Sequence, residues 1–492
     1  MPLSPAASAD SPRAGALERS AALKSRWTVL LPLAVAAGTF LWRLGGSSLF
    51  VDETYSWLAA HASLGNVFSA VRETEVAPPS YYLLLHFWIA LTGSDSVWTM
   101  RLLSVLAGLG VVAAVWWLAR LVAGNAAAVL AGLTAAASPL LVEYAQEARA
   151  YVFVMLCATI AVAAAITAAR TSTRQLRWLA LAAVAAVATI WTHYTGLLVI
   201  GPVAVYVWCS PTLSRRARSA YVSACALALA AVAPLMVIQL RAGHQGGVAP
   251  FARLTTAHIE AVIATPFDGR FPGHALTLLL GAATVVVAVA YLAASRRRRS
   301  PELWLLLATA VVPVAAVVGV TVAATVLSEQ TYDSLITRYT AVAAPFMLIA
   351  LAWAIVRLAR PVGVLLAAVA ALAAVTGLLA AYSTESFWPD LGGAFAHLAH
   401  DYHAGDEIAL AGTPAQYADA DYYVAMLRHE HPAARVERVS ATQSLPVGGT
   451  RLWVIADTGT APAAAAELAS AGWHETWSAT FTPGIEALLA VR

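Results

Sequence analysis

Residues 80–92 read Ser80-Tyr81-Tyr82-Leu83-Leu84-Leu85-His86-Phe87-Trp88-Ile89-Ala90-Leu91-Thr92, and whether this run crosses a membrane decides the orientation of everything after it. It is apolar but only 13 residues long, short of the ~20 that a helix needs to cross. It therefore reads as a helix lying at the interface. With the N-terminus inside and this run not crossing, Arg120, the Arg170/Arg174/Arg177 group, Arg215/Arg216/Arg218, the four arginines of 296–299 and Arg357/Arg360 all fall on the cytoplasmic side. That is the side where Lys and Arg gather beside spans. Counting 80–92 as a span reverses every one of them.

The runs on either side supply the spans. Residues 27–44 form a first apolar stretch, and others occupy 101–121, 125–142, 150–169, 178–192, 194–209, 220–240, 274–294, 303–327, 339–357 and 361–382. Each approaches crossing length, giving about eleven transmembrane helices. Ala34-Val35-Ala36 mimics a signal-peptidase site, but the apolar run continues to Trp42, so a retained anchor is expected. The composition agrees: 60% of the 492 residues are hydrophobic and 12% charged, with a mean hydropathy of +0.71, against roughly 25% charged in a soluble domain. This excludes an ordinary soluble enzyme and predicts a polytopic α-helical membrane protein. The net charge of +3 carries little meaning beside the placement of arginine, and nucleic acid is not an expected partner. Cys157, Cys209 and Cys225 show neither CxxC nor metal-ligand spacing.

Residues 1–26, rich in Ala, Ser and Pro with Arg13, Arg19, Lys24 and Arg26, read as a disordered cytoplasmic tail. Residues 27–383 form the transmembrane domain, with a first outer loop at 45–100. An odd number of spans places that loop, residues 241–273 and the stretch from about 384 on the outer face. In 384–492 His, Asp and Glu return, and β-like runs (407–411, 451–456, 485–491) alternate with helix-like ones (394–403, 461–471), as in a small extracytoplasmic α/β domain. Ala411-Gly412-Thr413-Pro414 lacks a glycine-rich phosphate cradle, which disfavours nucleotide binding there.

No Asp, Glu or Lys lies in the middle of a span, which argues against an ion-coupled transporter. The chemistry-bearing residues gather instead at the outer surface. Asp52 and Glu53 follow the first span in Leu49-Phe50-Val51-Asp52-Glu53-Thr54-Tyr55-Ser56. Adjacent carboxylates at a low-dielectric boundary suit a general base acting on a hydroxyl, although the same pair serves as an ordinary helix start. Arg101, Arg149 and Arg338 lie at outer span ends, where positive-inside bias makes arginine less expected. Arg149 sits in Gln146-Glu147-Ala148-Arg149, with Glu147 offering a nearby ion-pair partner, and His193-Tyr194 occupies the next outer hairpin. Taken singly, each is explained by interfacial anchoring, an ion pair or lipid-phosphate snorkelling. Together, a carboxylate and several arginines at one face match a site that grips a lipid phosphate by bidentate hydrogen bonds while activating a second substrate's hydroxyl.

In order along the chain, Val51-Asp52-Glu53, Ala77-Pro78-Pro79-Ser80-Tyr81-Tyr82, Arg101-Leu102-Leu103-Ser104, Gln146-Glu147-Ala148-Arg149, Thr192-His193-Tyr194 and Arg338-Tyr339 resemble the GT-C glycosyltransferases of the protein O-mannosyltransferase and lipid A aminoarabinose transferase type. The resemblance spans roughly residues 27–382. It implies a multi-pass enzyme of the cell membrane that takes a sugar from a polyprenyl monophosphate donor on the outer leaflet and places it, with inversion, on the hydroxyl of a glycan, lipid or protein. Asp52 matches the catalytic base with Glu53 beside it. Arg149, Arg338, Tyr339, His193 and Arg101 are expected on the donor phosphate, and Glu147 and Tyr82 on the acceptor side or its loop. Where the O-mannosyltransferases continue Pro-Pro with Gly-Lys, this chain has Ser80-Tyr81, and it has no repeated β-trefoil, which weakens the case for a protein acceptor. A monophosphate leaving group can be handled by arginines; a divalent metal is compatible, but no ligand spacing demands it. A single lysine among many arginines and alanines fits a GC-rich bacterial genome, with mannose or arabinose on a decaprenyl- or undecaprenyl-type carrier as the expected donors.

Two other classes are left open. A lipid-linked sugar flippase predicts polar residues along the spans, where Gln239 stands almost alone among scattered Ser and Thr. A non-catalytic envelope scaffold or sensor predicts no requirement for an outer carboxylate.

Overall fold

A computed structural model of the chain describes residues 27–242, 261–267, 275–295, 300–328, 336–383, 390–412, 414–439, 445, 448–481 and 484–492. The expected tail 1–26, the four arginines of 296–299 and the segments around Glu329 and residue 384 lie outside these.

Each apolar run read from the sequence is helical where it is described. Among the described residues eight helices are long and apolar enough to cross a membrane: Val97–Ala123, Tyr151–Arg170, Gln175–Thr192, Arg215–Arg241, Ala275–Ala294, Pro301–Val320, Arg338–Arg357 and Arg360–Tyr382. A ninth forms if Asn125–Ala136 and Pro139–Ala145 count as one span bent by 60°. The bend falls at Ser138-Pro139, where proline cannot donate to the preceding turn and the Ser138 hydroxyl caps the new helix by accepting from Leu141 N. The Leu30–Leu41 helix has 12 residues, or about 18 Å at ~1.5 Å per residue, less than the ~30 Å hydrocarbon core. The run at 194–209 divides into a 3-10 turn, Tyr194–Gly196, and the Leu197–Cys209 helix. These two runs of the expected eleven thus fall short on length. Ser80–Thr92 is a 13-residue helix, as its composition predicts.

The arginine-bearing ends meet at one end of the bundle. Arg170 donates to Leu121 O and, at 3.0 Å, to Glu302, Thr212 Oγ1 to Ala169 O at 2.7 Å, and Arg218 to Trp208 O at 2.8 Å. Asp52, Arg149, His193 and Arg338 lie at the opposite helix ends.

The C-terminal region carries a five-stranded sheet of order β2-β1-β3-β5-β4, with β1 Glu407–Ala411, β2 Arg435–Val439, β3 Arg451–Asp457, β4 His474–Phe481 and β5 Ile485–Val491. β1 pairs in parallel with β2 and β3, while β5 runs antiparallel to both β3 and β4. Side chains alternate across the sheet as strand geometry requires. Ala409, Leu452, Val454 and Leu488 pack with the Ala461–Ser470 helix on one face. Ile408, Leu410, Trp453, Ile455 and Leu489 on the other join a core that continues through the Leu391–Asp401 and Pro414–Glu430 helices into the membrane bundle. The sheet region is therefore packed onto the membrane part, and this packing positions the site.

Candidate active site

Asp52 and Glu53 lie in the first turn of the Val51–His61 helix, whose N-cap is Phe50. Carboxylates there are favoured by the helix dipole, so the ordinary helix-start reading is part of the answer. The two acids point to different surroundings, as the ~100° step between helical neighbours requires.

Glu53 is fully buried. Its Oε1 accepts from Arg101 Nε at 2.9 Å and from Ala148 N at 2.8 Å, and its Oε2 accepts from Arg101 Nη2 at 2.6 Å. Arg101 also donates to Ser47 O, Ser47 Oγ and Leu44 O through Nη1, and to Ser48 O through Nη2. Glu53 thus pairs with Arg101, and Arg101, expected on the donor phosphate, has all its N–H directions taken by Glu53 and the Leu44–Ser48 turn. The pair is a buried staple that fixes the start of the Asp52 helix.

Asp52 is partly exposed and stands where two other arginines converge. Its Oδ2 accepts from Arg338 Nη1 at 3.2 Å and lies 3.8 Å from Arg149 Nη2. Arg149 is anchored by Asp52 O at 2.8 Å, Ser56 Oγ at 3.1 Å and both carboxylate oxygens of Glu75, one at 3.0 Å. Its ion-pair carboxylate is thus Glu75, from the loop before Pro78-Pro79, and not Glu147. The Arg149 Nε is buried without a hydrogen-bond partner among the described residues.

The Gln146-Glu147-Ala148-Arg149 segment works as a clamp. Gln146 Nε2 donates to Phe40 O and Trp42 O at 3.0 and 2.8 Å, satisfying carbonyls that the end of the Leu30–Leu41 helix leaves open. Ala148 N holds Glu53, and Arg149 holds Asp52 and Glu75. Gln239, the lone polar residue singled out within a span, serves a similar purpose: it donates to Ala77 O at 3.0 Å and accepts from the Tyr194 hydroxyl at 2.6 Å, tying the loop that carries Ala77 to the bundle.

His193 closes the site laterally. Gly196 makes its hairpin tight, since a Cβ there would come within 2.5 Å of Thr189 Cγ2. The His193 ring lies 5.3 Å from that of Tyr151 and 5.9 Å from that of Tyr339. Thr195 N donates to its Nδ1, which places the proton of the neutral ring on Nε2. Burial, with Arg149 and Arg338 nearby, pushes its pKa down to about 3, so His193 is a neutral neighbour of the arginines and adds no positive charge. Tyr82 and Glu147, expected on the acceptor side, are both buried. Tyr82 lies near Glu75 and Arg149.

Two acids at the site escaped the sequence reading. Glu75 had a signal in its place next to Ala77-Pro78-Pro79. Asp419 had none: it comes from the Pro414–Glu430 helix of the C-terminal region, and burial followed by the charge of Asp52 raises its pKa to about 7. Among the described residues no group of three His, Cys, Asp or Glu side chains is placed to hold a metal ion.

Residues 76–238 match the sequence family described as dolichyl-phosphate-mannose-protein mannosyltransferase. That segment holds Tyr82, Arg101, Glu147, Arg149 and His193. Among curated proteins none matches the chain. In fold the chain is similar to ArnT from Cupriavidus metallidurans bound to undecaprenyl phosphate, at 15% identity and a TM-score of 0.59 over 94% of this chain and 97% of that one. It is also similar to the Archaeoglobus fulgidus oligosaccharyltransferase in the apo form, at 11% identity and a TM-score of 0.53 over 92% of this chain and 73% of that one. A third likeness is to the arabinofuranosyltransferase AftD from Mycobacteria, at 14% identity and a TM-score of 0.50 over 94% of this chain and 41% of that one. Identities this low establish the fold. The family match covers the segment that builds the Arg149 clamp, and over nearly its whole length the chain is similar in fold to GT-C membrane glycosyltransferases.

Proposed function

We propose that the chain transfers a sugar from a polyprenyl monophosphate donor to an acceptor hydroxyl, with inversion, using Asp52 as general base. The observation that carries this reading is the convergence of Arg149 and Arg338 on the Asp52 carboxylate. The donor's phosphodiester presents two non-bridging oxygens, enough to engage the guanidinium groups of both arginines in place of the Asp52 carboxylate. The donor phosphate thus takes the arginines, and the Asp52 carboxylate is released toward the acceptor.

The acceptor oxygen then attacks the anomeric carbon on the side opposite the phosphate, and its proton passes to Asp52. The bond from the anomeric carbon to the phosphate oxygen breaks, leaving polyprenyl phosphate with its new negative charge facing Arg149 and Arg338. Glu75 keeps Arg149 in register, and Glu53 and Arg101 hold the helix that presents Asp52. Undecaprenyl phosphate bound to ArnT supports a donor of this class. The family description over residues 76–238 and the likeness to an arabinofuranosyltransferase make mannose and arabinose the first sugars to try.

Arg338→Lys tests the donor half. Lysine retains the charge and loses the planar fork, so undecaprenyl phosphate should bind about 10-fold or more weakly, as expected when a charge-assisted hydrogen bond is lost. Unchanged affinity in a direct binding measurement removes Arg338 from the donor site.

We further propose that the site and the C-terminal region face outward. The arginine-rich helix ends gather at the opposite end of the bundle, where a cytoplasmic surface is expected. Single cysteines at Arg177 and Glu430, introduced after replacing Cys157, Cys209 and Cys225, should differ on intact cells treated with an impermeant maleimide. Labelling at 430 and protection at 177 is the expected pattern; the reverse refutes the orientation.

A further inference from the structure

The Pro414–Glu430 helix lies against the Val51–His61 helix. The Tyr422 ring packs edge-on against Trp57 at 5.4 Å, and the Tyr423 hydroxyl accepts from Leu49 N at 2.6 Å. Asp419 precedes these tyrosines by three and four residues, which puts all three on one helix face. Along the other helix, Asp52 and Tyr55 share a face by the same spacing. The Tyr55 phenol has its pKa raised first by burial, then by the charge of Asp419 and next by that of Asp52. The C-terminal region therefore sets a second carboxyl near the base.

Asp419 has little structural work to do. Its Oδ1 is buried without a hydrogen-bond partner among the described residues, whereas its neighbour Asp421 is paired with Arg438. A buried, unpaired carboxyl oxygen is costly, and in a site it is expected where a ligand's hydrogen-bonding group supplies the missing partner.

Building on the proposed transfer reaction, we infer that Asp419 binds the acceptor, which carries a second hydroxyl beside the attacking one, as an uncharged glycan does. The attacking hydroxyl gives its proton to Asp52, and the neighbouring hydroxyl meets Asp419. An acceptor with a phosphate or carboxylate at this point is disfavoured, because Asp52 and Asp419 flank it. A serine or threonine side chain offers only one hydroxyl and leaves Asp419 unpaired. With its pKa near 7, the Asp419 carboxyl can both donate to and accept from a sugar hydroxyl around neutral pH.

The test uses the purified full-length protein, decaprenyl-phosphoryl-mannose and decaprenyl-phosphoryl-arabinose as donor probes, and octyl mannoside as acceptor probe. Asp419→Asn should raise the KM for octyl mannoside by about 10-fold, the worth of one hydrogen bond with a shifted or charged carboxyl, with kcat within about 3-fold. Asp419→Ser serves if the asparagine variant is poorly folded. An unchanged KM, or a loss confined to kcat, overturns the inference while leaving transfer by Asp52 untouched. If the wild-type protein transfers neither sugar, the proposed reaction fails for these donors, and infrared difference spectroscopy decides the inference alone. Near pH 6 a protonated carboxyl band should disappear in Asp419→Asn, titrate at lower pH in Asp52→Asn, and shift when octyl mannoside is added. A band indifferent to octyl mannoside or to Asp52→Asn refutes it.

Discussion

Asp52→Asn is expected to lower sugar transfer by ~10²–10⁴-fold, the usual contribution of a general base, without unfolding the protein. Asparagine keeps an oxygen for Arg338 at nearly the same position, so the loop geometry survives while the basicity is lost. Because the variant also removes an anion from between Arg149 and Arg338, undecaprenyl phosphate should bind at least as well as before. Loss of transfer with retained donor binding separates a base from a scaffold residue. Transfer at near wild-type rate in the purified variant assigns the proton to another group, with Glu75 and Asp419 next in line by position.

The largest expected effect on stability lies one residue away. Arg101→Met leaves the Glu53 carboxylate buried with only Ala148 N to compensate it, and breaking a buried pair by removing one partner costs about 3–5 kcal/mol. A marked fall in the melting temperature of the detergent-solubilised protein, with reduced yield, is the expected result. Glu53→Gln should fall in the same direction. The double variant Arg101→Met, Glu53→Met should recover part of the loss, since no charge is then stranded. If Arg101→Met melts like the wild type but loses donor affinity, Arg101 belongs with the phosphate after all.

These two residues show what could be read from the chain in advance. The apolar runs, the shortness of the Ser80–Thr92 helix and the collection of Asp52, Arg149 and Arg338 at one end follow from hydropathy and arginine placement, because lipid imposes a coarse and continuous demand on sequence. Partner choice among the charges did not follow. Arg149 and Glu75 are 74 residues apart, so sequence proximity favours the wrong neighbour for Arg149, Glu147 two residues before it.

The C-terminal sheet divides the same way. Its central strands β1, β3 and β5 carry continuous buried runs and are legible from composition. β2 and β4, the two edges, read Arg-Val-Glu-Arg-Val and His-Glu-Thr-Trp-Ser-Ala-Thr-Phe and are largely exposed. Edge strands keep such polar residues to avoid pairing with other chains, which hides them from a search for apolar alternation. Asp419 was hidden for a further reason: its role depends on how one part of the chain packs on another, and local pattern holds no record of that.

Transfer of a sugar off a polyprenyl phosphate at the Asp52 site is tested by incubating the purified wild-type protein with decaprenyl-phosphoryl-mannose or decaprenyl-phosphoryl-arabinose and a glycoside acceptor, then determining the anomeric configuration of the product by NMR. The expected result is release of decaprenyl phosphate that depends on the acceptor and on Asp52, with a product of inverted configuration. Release that is unaffected by Asp52→Asn, or a product of retained configuration, contradicts it.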